Sequence, residues 1–117
     1  MSKLGFIGLG IMGVPMAGHL IAAGHAVYLH SRSGVASELT EAGGHAVGSA
    51  KAVAENADII FLMVPDTPHV EAALFGDDGV AAGLSPGKVV VDMSSISPMA
   101  TKAFAGRINE LGCEYLD

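Results

Sequence analysis

The sequence has 117 residues, the size of one domain, and half of it is apolar, enough to build one buried core. Twelve acidic residues against six basic ones leave a formal charge of −6, which argues against a nucleic-acid partner, so any bound nucleotide has to be held mainly by backbone groups. No apolar run reaches the length of a membrane span, and the single Cys113 offers no internal disulfide, so no membrane is expected as a partner and the cytoplasm is the expected location.

Lys3 to Ile7 reads as a short buried strand, and Met12 to Ala23 as a helix that stops at Gly24, the residue favoured just past a helix C-terminus. Lys3 and the apolar stretch after it superficially resemble a secretory signal. Gly5, Gly8, Gly10, Gly13 and Gly18 interrupt that stretch, at spacings a tight turn requires and a continuous signal helix does not. Ala26 to His30 is a second strand, Val35 to Ala42 a second helix ended by Gly43-Gly44, and His45 to Val47 a brief third strand.

Ser49 is placed to cap a helix over Ala50 to Asn56. The run from Asp58 to Val64, which Pro65 stops, is apolar on both faces, like an interior parallel strand. Thr67-Pro68 opens a helix to about Phe75, residues 76–79 form a turn, and a short helical piece precedes Ser85-Pro86-Gly87. Val89 to Asp92 is the next strand, Ser97-Pro98 starts a helix that runs to Leu111 and closes at Gly112, and Glu114 to Asp117 opens one more strand. Alternating strands and helices of this kind predict an α/β fold: a Rossmann-type three-layer sandwich whose mainly parallel, doubly wound sheet binds ligands at its strand carboxyl ends.

Gly8-Leu9-Gly10-Ile11-Met12-Gly13 is a G-x-G-x-x-G that follows a strand and opens a helix, the context in which the pattern carries meaning. Gly8 allows the sharp turn out of the strand, Gly10 lets a pyrophosphate approach the backbone, and Gly13 lets the helix pack close to the sheet. The helix N-terminus then presents free N–H groups to the phosphates. At the end of the second strand, where an acidic residue would favour NAD, the sequence has His30-Ser31-Arg32-Ser33. Arg32 is suited to pair with a 2′-phosphate and the small Ser31 leaves room for it, so NADP is the expected cofactor, with NAD the alternative.

The stretch Gly5-Phe6-Ile7-Gly8-Leu9-Gly10-Ile11-Met12-Gly13-Val14-Pro15-Met16-Ala17 resembles the N-terminal signature of the 3-hydroxyisobutyrate (β-hydroxyacid) dehydrogenase family. Met63-Val64-Pro65-Asp66-Thr67-Pro68, Leu74-Phe75-Gly76 and Asp92-Met93-Ser94-Ser95-Ile96-Ser97-Pro98 extend the resemblance along the chain. It implies an enzyme that passes a hydride between a nicotinamide and a short 3-hydroxy acid or semialdehyde; association into a homo-oligomer is expected separately, from apolar surface left exposed on this domain. The resemblance also implies roles for matched positions: the glycine loop with Ile11 and Met12 along the pyrophosphate, Arg32 at the adenosine ribose, Met63, Val64 and Pro65 on the rim after the fourth strand, and Ser95 on the nicotinamide side. Family members continue beyond the position of Asp117 into a glycine-rich substrate loop and an all-helical domain that carries the catalytic lysine. None of Lys3, Lys51, Lys88 or Lys102 matches that lysine, so residues 1–117 are expected to form the cofactor domain, inactive by itself, with no catalytic residue in the sequence. Other members of the superfamily, imine reductases included, and a freestanding nucleotide-binding module are the alternative readings.

The five histidines, at 19, 25, 30, 45 and 69, have no ligand spacing, so no metal site is expected. Asp66, Asp77 and Asp78 sit where aspartate serves turns and helix starts. Asp92, at the end of an apolar strand, is expected to order the loop that follows it.

Overall fold

A computed structural model describes residues 3–8, 13–31, 34–35, 37–64, 67–93 and 98–116. Six strands, β1 (Lys3–Ile7), β2 (Ala26–His30), β3 (His45–Ala46), β4 (Ile59–Leu62), β5 (Val89–Asp92) and β6 (Glu114–Leu116), form one sheet in the order β3-β2-β1-β4-β5-β6. Every pairing is parallel. The α/β doubly wound architecture expected from the alternation is present, with the strand order reversing between β1 and β4.

The helices are α1 (Gly13–Ala22), α2 (Ser37–Glu41), α3 (Ala50–Asn56), α4 (Thr67–Phe75), α5 (Val80–Gly83) and α6 (Pro98–Glu110). Period-two alternation sorts the strand side chains to two faces. Leu4, Phe6, Val27 and Leu29 pack with Ala17 of α1 and Leu39 of α2 on one face. Ile7, Ile60, Leu62, Val90 and Tyr115 pack with Val53, Leu74, Val80, Phe104 and Ile108 on the other, the face covered by α3 to α6. Three layers and two cores result.

Several elements are shorter than the sequence suggests. The second helix occupies Ser37–Glu41 where the pattern predicts Val35 to Ala42, and β4 occupies Ile59–Leu62 where the apolar run predicts Asp58 to Val64. The neighbours explain β4: its ladder with β1 ends at Leu62 opposite Ile7, so Met63 and Val64 lie past the last paired residue. The third strand ends at Ala46 rather than Val47, although the Val47 amide still donates to the Leu29 carbonyl at 2.9 Å. β6 ends at Leu116, and Asp117 lies outside the described residues. Ser49 caps α3 as expected, its hydroxyl accepting from the Ala52 amide at 3.1 Å.

Candidate functional site

His30, Ile7, Leu62 and Asp92 lie side by side as the last residues of β2, β1, β4 and β5, a row that runs across the carboxyl edge of the sheet. Hydrogen bonding continues one residue past the strands. The Gly8 amide donates to the His30 carbonyl at 3.0 Å, the Met63 amide to the Ile7 carbonyl at 2.9 Å, and the Met93 amide to the Leu62 carbonyl at 2.9 Å. The floor of the crevice at the switch point is therefore held by main-chain bonds whatever side chains stand above it.

At the head of this crevice Gly8 turns out of β1 with φ 78, a left-handed conformation that costs any other residue. Space imposes the same choice. A Cβ at position 8 would stand 2.5 Å from the Met63 carbonyl oxygen and 2.5 Å from Cγ1 of Val64. Gly8 thus lets β1 turn directly against the segment after β4, and α1 starts five positions later at Gly13. The first turn of α1 has no acidic residue, so no carboxylate of its own competes for the positive end of the helix.

On the other flank, Ser31 follows β2 half-buried, and its carbonyl accepts from the Gly34 amide at 3.0 Å, where Gly34 has φ 95. The sequence that closes and follows β2, His30-Ser31-Arg32-Ser33, contains no acidic residue. His30 is engaged by the structure: its Nδ1 donates to the Val47 carbonyl at 3.2 Å and ties β2 to the segment after β3. His45 stacks on Tyr28 with ring centroids 5.2 Å apart, so these two histidines serve the sheet edge.

Of the positions expected to meet a cofactor, the fold brings Gly8, Ser31, Met63 and Val64 to the carboxyl edge and starts α1 at Gly13. Gly10, Ile11, Met12, Arg32, Pro65 and Ser95 lie outside the described residues. Sequence reasoning missed the partner of Asp92. Asp92 is the one charged residue buried among the described residues, and the Tyr115 hydroxyl donates to its Oδ2. No sequence motif signals that pair, because it depends on the register of β5 against β6. The lone Cys113 is buried and its thiol donates to the Ser85 carbonyl at 3.2 Å, which makes it part of the core.

A parallel sheet in this order, with a glycine turn at the switch point opening onto a helix whose first turn carries no acidic residue, defines a dinucleotide-binding domain. Residues 3–117 match the family described as the NAD binding domain of 6-phosphogluconate dehydrogenase, and the chain belongs to that family. It is 56% identical over 115 residues to 2-hydroxy-3-oxopropionate reductase (tartronate semialdehyde reductase) of Escherichia coli, covering 98% of this chain and 39% of that protein. It is 36% identical over 117 residues to the probable 3-hydroxyisobutyrate dehydrogenase-like 2, mitochondrial, of Arabidopsis thaliana, covering 99% of this chain and 39% of that one. Among solved structures, Psf3 in complex with NADP+ and 2-OPP superposes with a TM-score of 0.88 at 30% identity, over 96% of this chain and 40% of the other. The resemblance to 3-hydroxyisobutyrate dehydrogenases read from the glycine loop is thus borne out, and the chain spans about two fifths of the length of the relatives it matches.

Proposed function

We propose that this chain is the NADP-binding domain of a reductase whose complete form converts tartronate semialdehyde and NADPH to D-glycerate and NADP+, with uptake of one proton. The observation that carries the reading is Gly8, turned into the left-handed region and wedged against Met63 and Val64 at the switch between β1 and β4. Only a residue without a side chain makes that tight turn out of β1, the place the first glycine holds in a dinucleotide-binding loop. The similarity to the Escherichia coli reductase supports the substrate, and the NADP+ in the Psf3 structure supports the cofactor.

When bound, the dinucleotide supplies the hydride donor or acceptor. The chain's own residues bind and orient it: Gly8, Gly10, Ile11, Met12 and Gly13 hold the pyrophosphate, with the α1 N-terminus supplying the positive end of a helix dipole. Ser31 leaves room at the adenosine ribose and Arg32 pairs with the 2′-phosphate. Met63, Val64 and Pro65 line the rim, and Ser95 faces the nicotinamide. Lysine-assisted proton transfer belongs to the rest of the enzyme, so the 117-residue chain binds without turning over.

A cytoplasmic location and a homo-oligomeric state are part of the same reading. The free buried thiol of Cys113 supports the first, and the exposed Met93, Met99 and Leu116 support the second.

Calorimetric titration with NADPH and separately with NADH tests the cofactor assignment. NADPH is expected to bind tighter, with the preference lost in Arg32→Ala. Tighter NADH binding overturns the Arg32 assignment and keeps the domain. Binding of neither overturns the site.

A further inference from the structure

We propose that Tyr115 is a positioning residue for the nicotinamide half of the cofactor site, acting through the Asp92 carboxylate; this rests on the dinucleotide reading above. In the sheet register Tyr115 lies opposite Val90, two residues before Asp92. Val90 and Asp92 are buried on the same face of β5, and Tyr115 is the buried residue of β6. The tyrosine ring therefore runs diagonally along the sheet toward its carboxyl edge, a reach open to an aromatic side chain and closed to a short one. Its hydroxyl ends on Oδ2 of Asp92.

A carboxylate that is 2% exposed needs hydrogen-bond donors in place of the water it has lost. The Tyr115 hydroxyl is such a donor, and it comes from a strand that lies outside the crevice. What it holds is the end of the row His30, Ile7, Leu62, Asp92. A dinucleotide laid across the switch point places its two mononucleotide halves on opposite sides of β1, the adenosine half over β2 and the nicotinamide half over β4 and β5. Asp92 is too buried to serve as a ligand contact, so it acts as an anchor for the edge on the nicotinamide side. Loss of the hydroxyl would take this donor from the buried carboxylate and shift the nicotinamide floor, while β1, β2 and the adenosine side keep their main-chain bonds.

The effect is therefore selective, and two ligands read it: NADPH, and 2′-phospho-ADP-ribose, which lacks the nicotinamide. Tyr115→Phe removes only the hydroxyl. It is expected to weaken NADPH binding by about fivefold, the size of one buried hydrogen bond, and to leave 2′-phospho-ADP-ribose within about twofold of wild type on the same scale. The fluorescence enhancement of bound NADPH is expected to fall with it.

Asp92→Ala is expected to give the same selective loss. The double variant should bind NADPH no more weakly than Asp92→Ala alone, since both changes remove one interaction.

Equal losses for both ligands, no loss for either, or additive losses in the double variant would overturn the inference. So would a wild-type chain that binds NADPH no tighter than 2′-phospho-ADP-ribose, a result that leaves nucleotide binding intact. A wild-type chain that binds neither ligand overturns the functional reading and this inference together.

Discussion

The Tyr115 hydroxyl donates a hydrogen bond to Oδ2 of Asp92, joining the middle of β6 to the carboxyl end of β5. Both groups are withdrawn from water. Asp92→Ala takes this acceptor away from a buried hydroxyl and is expected to cost about 1–3 kcal/mol. Asp92→Asn keeps an acceptor oxygen and should cost roughly half as much. Urea unfolding followed by circular dichroism reads both; an Asp92→Ala chain as stable as wild type would show that the pair contributes nothing.

Gly8→Ala adds a methyl group where the Met63 carbonyl and the Val64 side chain already stand, at a φ of 78. The strained backbone and the overlap together are expected to cost at least about 2 kcal/mol. For a domain of this size that corresponds to a fall in Tm of about 8 °C or more. NADPH binding should be lost as well, because the turn that admits the pyrophosphate is displaced. An unchanged melting curve in differential scanning calorimetry would contradict the geometry of the turn.

Ser49 satisfies the Ala52 amide in the first turn of α3, and α3 carries Ala50, Val53 and Ala54 into the core. Ser49→Ala is expected to destabilise the chain by about 1 kcal/mol, and Ser49→Asp, which also caps, by much less. Hydrogen exchange at the Ala52 amide gives the local test. Its protection should fall in the alanine variant while that of Ile60, in the sheet interior, falls only by the global change.

Met99 is 84% exposed and Leu116, on edge strand β6, is 52% exposed. Large apolar side chains beside a free strand edge favour contact between copies. Sedimentation velocity is expected to show association that rises with concentration, reduced in Leu116→Lys. A single monomeric species at millimolar concentration in the wild-type chain would count against the homo-oligomer.

Much of the fold was legible in the sequence because the signals are local. Proline and serine at helix starts, glycine just past helix ends and β-branched runs between them act within a few residues of themselves, and α3, α4, β1, β2 and β5 lie where those signals put them. Gly8 was legible for the same reason, since a turn from a strand into a helix needs a positive φ at a definite place. Element ends were less legible. The apolar run of β4 continues to Val64, but a strand ends where its partner does, and Ile7 stops the ladder at Leu62.

The sequence by itself determined the alternation of strands and helices, the glycine turn, the cap at Ser49 and the lack of a carboxylate after β2, all of which depend on neighbours along the chain. Tertiary structure alone decided which strands lie side by side. It aligned His30, Ile7, Leu62 and Asp92 into one edge. It also brought the Tyr115 hydroxyl to Asp92 across 23 residues of sequence. Strand order and register follow from how α1 to α6 pack the two apolar cores across their crossovers, and a one-residue slip of β6 would turn Tyr115 to the opposite face.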